Sequence, residues 1–430
     1  MRDCALERLT NGKRLWAGLM EMAAIGATGE GGCFRLALDA QDRRARDLFV
    51  ARARAAGCRI SINPYGNIFA IRPGHEPDRA AILSGSHLDT QPHGGRFDGV
   101  LGVMAALEVI EALNDSGLET VAPVVAVNWT NEEGVRFKPG LTGSAGWARN
   151  YARPLPEAAI RSESGVDFFE ELARIGYAGE DHPPTVGAYL ELHIEQGPRL
   201  ELAGVPVGVV TGIQGVRWLE LACRGIDAHA GTTPIADRSD SFLAAARFVV
   251  EATSLATALN PEIRLTAGQV DLSPNSVNTV AGFTRATLDL RHRDEAMLDR
   301  IEAELGRLRA RISGETGVEL TIDRVMTVPP VGFHPELVST VTAAADMIGL
   351  PSMELHSGAM HDASSLAQVV PTGMIFVPSR GGISHHPAEW TAPEEVADGC
   401  EVLCRAILEL AGVGAGKVGP AALAKGDQPA

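Results

Sequence analysis

A chain of 430 residues, 45% apolar and 21% charged, has the composition of a globular protein and is longer than one hydrophobic core usually serves, so two domains are expected. Its formal net charge of -16 argues against nucleic acid and anionic membranes as partners, although a locally basic site remains compatible with it. Six scattered cysteines without a CxxC pair, no signal-like apolar core and no run of about 18 apolar residues lead to the expectation of a reduced, cytoplasmic protein without a membrane span.

In chain order, residues 45–57 read as a short basic helix, and a strand is expected to end at Leu83 or Ser84. The motif Ser86-His87-Leu88-Asp89-Thr90 follows, then the glycine-rich turn 94–99 with Asp98. An apolar helix is predicted over 101–113, and residues 123–129 form a continuous apolar run of the kind buried in a parallel or mixed sheet. After Gly212 the pattern changes. Strands are predicted at 216–224, 265–272, 283–291 and 318–328, with helices at 241–259 and 294–314, a β-α-β-β-α-β order. A helix from about 335, a strand at 373–377 and a helix from 393 then restore alternation. The expected fold class is therefore α/β. A mixed-sheet domain (1–212 and 332–412) is interrupted by a smaller α+β domain (213–331) with helices on one sheet face, and a flexible tail (413–430) follows.

Four motifs carry chemistry. His87 and Asp89 stand at a strand's C-terminal end, where open α/β sheets bind ligands. An i+2 spacing points both the same way, so Asp89 is expected to accept the imidazole N–H and orient His87 as a metal ligand. Asp98 adds a carboxylate in a turn with little bulk, although Asp before Gly is also ordinary turn chemistry. Glu132 and Glu133 follow a buried strand; one can ligate a metal while the other acts as general base. His193 alternates with Leu190, Leu192 and Ile194, a pattern that taken alone fits a half-buried structural histidine. His385 and His386 lie in a loop before a helix, and either can ligate. Histidines and acids from four strand ends are what a two-metal hydrolytic site needs.

These motifs, with Ala228–Pro234, Asn275–Thr279, Leu288–Arg291 and Ser357–Ala363, resemble the M20 metallopeptidase and amidohydrolase superfamily. The resemblance is narrowest to its N-carbamoyl-L-amino acid hydrolase, β-ureidopropionase and allantoate amidohydrolase branch. It implies a di-metal hydrolase whose insert is a dimerisation or lid domain, making the protein a homodimer. The implied cofactors are two divalent ions (zinc, manganese, cobalt or nickel) bridged by Asp98. His87 and His193 would complete one metal site, and Glu133 and His385 the other, His385 being preferred because the family pattern reads Ser-His-x-Pro. Glu132 would be the general base and Asp89 the partner of His87. Gln196, His229, Asn278, Arg291 and His361 match substrate-contacting positions, with His229 also assigned to catalysis. Met360 replaces a glycine common in the branch. The implied substrate is a small ureido compound with a carboxylate, an N-carbamoyl-L-amino acid or N-carbamoyl-β-alanine. Allantoate or ureidoglycolate hydrolysis, peptide cleavage and a non-catalytic binding protein on the same scaffold are the competing readings.

Overall fold

The computed structural model describes residues 7–149, 160–182 and 185–413. Cys4 and all of the expected tail beyond Val413 lie outside the described residues. Contacts divide the chain into two units, Met1–Thr211 with Gly332–Ala430, and Gly212–Val331.

Strands are numbered along the chain. β1 (Arg59–Ile62), β2 (Ile68–Arg72), β3 (Ala81–His87), β4 (Val124–Trp129), β5 (Val186–Ile194) and β6 (Val207–Ile213) come first. β7 (Gly215–Arg224), β8 (Ala228–His229), β9 (Arg264–Ser273), β10 (Thr279–Val280), β11 (Phe283–His292) and β12 (Glu319–Val328) follow. The last are β13 (Val331–Gly332), β14 (Ser352–Ser357) and β15 (Thr372–Val377).

Among the described residues the large sheet runs β1-β2-β4-β3-β5-β15-β6-β13, with β14 on β6. The sheet is mixed: β1 and β2 pair antiparallel, while β4, β3, β5 and β15 are mutually parallel. Parallel strands end on a common edge, and the register aligns His87 with Trp129 and His193 with Phe376. Every residue of β3 and β4 is buried, as the apolar run of β4 requires. β3 continues to His87, three residues beyond Ser84. Its polar end resembles loop sequence, but buried Ser86 donates its hydroxyl to Glu191 at 2.7 Å.

Helix Val100–Asp115 is buried almost all round and packs on this sheet with helices Gly12–Ala23 and Pro393–Ala411. Its buried acid, Glu108, is held by Arg14 at 2.7 and 2.8 Å. Helix Gly12–Ala23 has no counterpart among the expected elements. The expected helix 45–57 is Ala40–Ala55, its start set by the Asp39 side chain accepting two first-turn N–H groups.

In the second unit β12, β7, β11 and β9 form an antiparallel sheet. Helices Ser241–Leu259 and Glu295–Thr316 close one face of it, with Phe248, Ile301 and Leu305 packed on Leu219, Leu221 and Leu288. Asp240 and Asp294 cap the two helices. Helix Ser241–Leu259 is 19 residues long with a mean hydropathy of 1.4, enough by length and composition alone to cross a membrane. Its buried face of Ala244, Ala245, Phe248, Ala252 and Ala256 belongs to this unit's core.

Helix Ala40–Ala55 is tied to the site-bearing sheet edge by the buried guanidinium of Arg46, which is paired within the helix to Asp42. Arg46 Nε donates to Asp42 at 2.8 Å, and the other guanidinium nitrogens reach the Gly66 carbonyl and Thr130 hydroxyl at 2.8 and 3.1 Å. Removing one partner leaves an uncompensated buried charge, which costs about 3–5 kcal/mol. Asp42→Leu should lower the denaturation midpoint accordingly, and adding Arg46→Met should restore much of it. Equal midpoints for Asp42→Leu and wild type would contradict this account.

Candidate active site

Each motif residue reaches the same sheet edge. His87 is the last residue of β3 and His193 the penultimate residue of β5. Glu132 and Glu133 follow β4, and His385 lies in the segment after β15. Asp98 sits in the turn before helix Val100–Asp115, whose N-cap, Gly99, has φ 67°. A side chain there is excluded twice, because a Cβ on Gly99 would lie 2.4 Å from the His87 ring.

Among the described residues the group Glu191–His193–His361 and two triads, His87–Asp98–His193 and Asp98–Glu133–His385, each bring their ligand atoms within 4.8 Å of one another. Asp98 belongs to both triads. Its Oδ1 is 3.3 Å from His193 Nε2 and its Oδ2 is 3.2 Å from His385 Nε2. Glu132 Oε2 lies 3.6 Å from His87 Nε2. In both strand histidines Nδ1 faces a carbonyl, that of Asp89 for His87 and Ile194 for His193, each at 2.9 Å. A carbonyl only accepts, so each ring carries a proton on Nδ1 and turns its Nε2 toward the triad.

The expected carboxylate partnership of Asp89 with His87 is not the contact found. Asp89 Oδ1 is 3.8 Å from the ring, and the backbone carbonyl of Asp89 takes the N–H instead. Strand alternation ends with β3 at His87, so the i+2 argument does not extend to Asp89. The freed carboxylate accepts the backbone N–H groups of Glu132 and Glu133, both at 3.2 Å, and thereby fixes the acidic pair.

Burial dominates the electrostatics. It raises the Glu132 carboxyl well above its usual range, with the charges of Glu133 and Asp362 adding to the effect. Burial and the charge of Asp98 push Glu133 up to about 8, and burial takes His87 down to about 4. Burial opposes charge on His193 as well, but Asp98 outweighs it and holds that ring at about 9. The hydrogen bond that His385 donates to Asp98 likewise holds this ring at about 9. Asp98 itself stays well below its usual value: burial works against its charge, and the hydrogen bonds from the two histidines overcome that penalty. Glu133 Oε1 and Gln196 Oε1 are buried without a hydrogen-bond partner among the described residues. Mutually repelling carboxylates, imidazole Nε2 atoms turned inward and orphaned oxygens form a set of groups that fits divalent cations.

Several supporting contacts were not assigned roles by the sequence patterns. Gln91 Nε2 donates to Glu133 at 2.6 Å. Gln196, expected at the substrate, donates through Nε2 to Asp98 and Ser384 at 3.0 and 3.1 Å. Glu191 accepts from Ser86, Tyr189 and the Ala363 N–H at 2.7, 3.1 and 3.0 Å. A signal for it existed: Tyr189, Glu191 and His193 alternate with apolar residues along one strand. Glu389 accepts from the N–H groups of Phe97 and Asp98 at 2.9 and 3.1 Å. His361 is buried, packs edge-on against the His193 ring and pairs with Ser357 Oγ at 2.8 Å. Asn131, Gln196 and His385 all have left-handed backbones, with φ of 57°, 56° and 53°, strain of the kind that gathers at functional sites.

In the second unit His229 and Asn278 are neighbours: β8 pairs with β10, and the Ala230 N–H donates to the Asn278 carbonyl at 2.9 Å. Arg291 lies on β11, its Nε and Nη2 donating to the Asp289 carboxylate at 2.8 and 2.9 Å.

Two acid–histidine triads at the carboxyl edge of an α/β sheet suit metal-assisted hydrolysis. Residues 83–409 match the peptidase family M20/M25/M40, and the chain belongs to that family. It is 42% identical to the N-carbamoyl-L-amino-acid amidohydrolase of Rhizobium meliloti, over 94% of this chain and 97% of that one. It is 35% identical to the allantoate amidohydrolase of Escherichia coli, over 91% and 96% of the two chains. A hydantoinase/carbamoylase family amidase from Burkholderia ambifaria, solved as a crystal structure, superposes with a TM-score of 0.89. It is 43% identical and covers 95% of this chain and 100% of its own. The protein is thus a hydrolase acting on carbon–nitrogen amide bonds, and the resemblance seen in its motifs holds.

The shifted groups set a pH dependence for the chelator-treated protein. Glu133 at about 8 and His193 and His385 at about 9 are all raised above their unfolded values of 4.5 and 6.5. Between pH 6.5 and 9 the folded chain therefore holds more protons than the unfolded chain, and stability falls as pH rises. The melting temperature should drop across that window, less steeply in Glu133→Gln, and added divalent metal should reverse the drop. A flat profile would refute the assignment.

Proposed function

We propose that the chain is a di-metal hydrolase of N-carbamoyl amino acids, releasing ammonia, carbon dioxide and the amino acid. The observation that carries this reading is Asp98, which presents one oxygen to each of two triads. His87, Asp98 and His193 would hold one ion, and Asp98, Glu133 and His385 the other. Zinc, manganese, cobalt and nickel all suit these ligands. Such ions, when bound, lower the pKa of water toward 7 and polarise the substrate carbonyl.

Glu132 is assigned as the general base. Its raised affinity for a proton suits a group that takes one from the attacking water and returns it to the leaving nitrogen. Attack on the carbamoyl carbon breaks its bond to nitrogen, and the carbamate that remains loses carbon dioxide. Asp89 holds Glu132 and Glu133 through their backbone N–H groups, so both carboxylates meet the reacting atoms in fixed positions. His229 is assigned hydrogen-bond donation to the developing oxyanion. Gln196, Asn278 and His361 complete the proposed substrate contacts. The name of the Rhizobium relative supports the carbamoyl substrate. We also read the protein as a homodimer formed through the second unit, whose helix Ser241–Leu259 exposes Phe242, Leu243 and Val250.

The base assignment is tested by Glu132→Gln, which should keep its metal while turnover falls by roughly 10²–10⁴-fold, because an amide takes no proton. Ammonia release should be followed on carbamoyl-L-amino acids, carbamoyl-β-alanine and allantoate, with chelated enzyme resupplied with each metal. Metal loss in Glu132→Gln, with retention in Glu133→Gln, would reverse the two roles. Fastest turnover of allantoate would replace the substrate.

Arg291 is assigned to the substrate carboxylate. A charge-assisted contact contributes about 1.5–3 kcal/mol, so Arg291→Ala should raise KM about tenfold or more for carboxylate substrates. An amide analogue should be a poor substrate for wild type and little affected by the change. Equal losses on both would remove Arg291 from the substrate site.

A further inference from the structure

We infer that Glu389 is a positioning residue whose carboxylate clamps the Asp98 turn to the His385 segment, so that the triad Asp98–Glu133–His385 can form. The inference rests on reading the triads as metal sites.

Glu389 is 2% exposed, and both its oxygens are committed. Oε1 accepts the N–H groups of Phe97 and Asp98 at 2.9 and 3.1 Å. Oε2 accepts the hydroxyl of Ser384, the residue before His385, at 2.9 Å. Residues 291 positions apart in sequence are joined by the Asp98 contact alone. The space for this carboxylate is kept by Gly95, where a Cβ would lie 2.0 Å from the Glu389 carboxyl carbon.

The two segments it joins differ from the rest of the site. His87 and His193 are strand residues, held by the ladders of β3 and β5. His385 has a left-handed backbone, φ 53°, outside any strand, and its side chain is 50% exposed. Its position follows from the turn that carries it. Within that turn the Glu389 N–H donates to the His386 carbonyl at 3.0 Å, and the Ala388 N–H to His386 Nδ1 at 3.0 Å. The carboxylate at the turn's end then reaches back to Asp98. Two of the three ligands of one triad are thus registered by a side chain that is not itself a ligand.

The test is calorimetric titration of chelated enzyme with cobalt(II), with the cobalt absorption spectrum read in parallel. Wild type should show two binding events. Glu389→Ala should weaken one of them by roughly 10–100-fold, the usual effect of removing a group that orients ligands. The other should change far less, and the circular dichroism should match wild type. Glu389→Gln keeps an acceptor at the same reach for both N–H groups and should bind nearly as wild type does. Glu389→Asp keeps the charge but retracts it by one methylene, and should behave like Glu389→Ala. Should Glu389→Ala fail to fold, the comparison of Gln with Asp decides. The inference is overturned if Glu389→Ala binds both ions with wild-type affinity, or if Asp retains binding that Gln loses. Wild type binding no cobalt would overturn the metal reading along with it; two wild-type events with no effect at Glu389 would overturn this inference alone.

Discussion

One carboxylate shared between two imidazoles sets the terms for the rest of the site. Asp98 presents a different oxygen to His193 and to His385, at 3.3 and 3.2 Å, which fixes the separation of the two triads to the width of a carboxylate. Such an arrangement requires His193 and His385 to reach different oxygens of one side chain. Parallel strands deliver one of them, and a segment after β15 delivers the other. The Asp98 turn can sit between them because Gly95 and Gly99 leave the space that Glu389 and His87 occupy. The negative charge of Asp98, stabilised by the two rings, also pushes the neighbouring Glu133 carboxyl upward.

Packing acids so closely away from water is expensive unless their oxygens are occupied. Two kinds of carboxylate result. Asp89, Glu191 and Glu389 accept backbone N–H groups, from Glu132 and Glu133, from Ala363, and from Phe97 and Asp98 respectively. Glu133, by contrast, keeps one buried oxygen without a partner among the described residues. The first kind shapes the loops by fixing their amides, and the second is left with capacity for a ligand. A fold built for stability alone has no reason to keep that division, since replacing the second kind with apolar residues would remove the penalty.

How far the sequence discloses this follows from the range of each interaction. Helix limits set by Asp240 and Asp294 are local, and so is the apolar run of β4, so those elements were legible within a few residues, whereas the Asp39 cap was passed over and its helix expected five residues late. The residues of the two triads stood out because strand ends concentrate histidines and acids. Asp89 was misread because alternation was carried beyond the end of β3, where the chain turns and a carbonyl replaces the carboxylate at the His87 ring. The part played by Glu389 has no local signature at all. Its amide donors lie 291 and 292 positions away in sequence, and only the folded turn brings them within reach. Helix Gly12–Ala23 was missed although Asn11 caps it, since Gly12 and Gly18 weaken its helical reading.

The second unit shows the same economy on a smaller scale. Asp289 and Arg291 are two apart on β11, hence on one face, and the carboxylate takes Nε and Nη2 of the guanidinium together. Trp218, opposite Asp289 on β7, adds its indole N–H to the same acid at 3.0 Å. A guanidinium held in this way has its plane fixed before any other anion arrives, and part of its charge is already offset. If Arg291 receives the substrate carboxylate as proposed, the newcomer meets a fixed direction of approach rather than a flexible cation. Affinity from charge alone is then reduced, and geometry carries a larger share of the discrimination between one carboxylate and another.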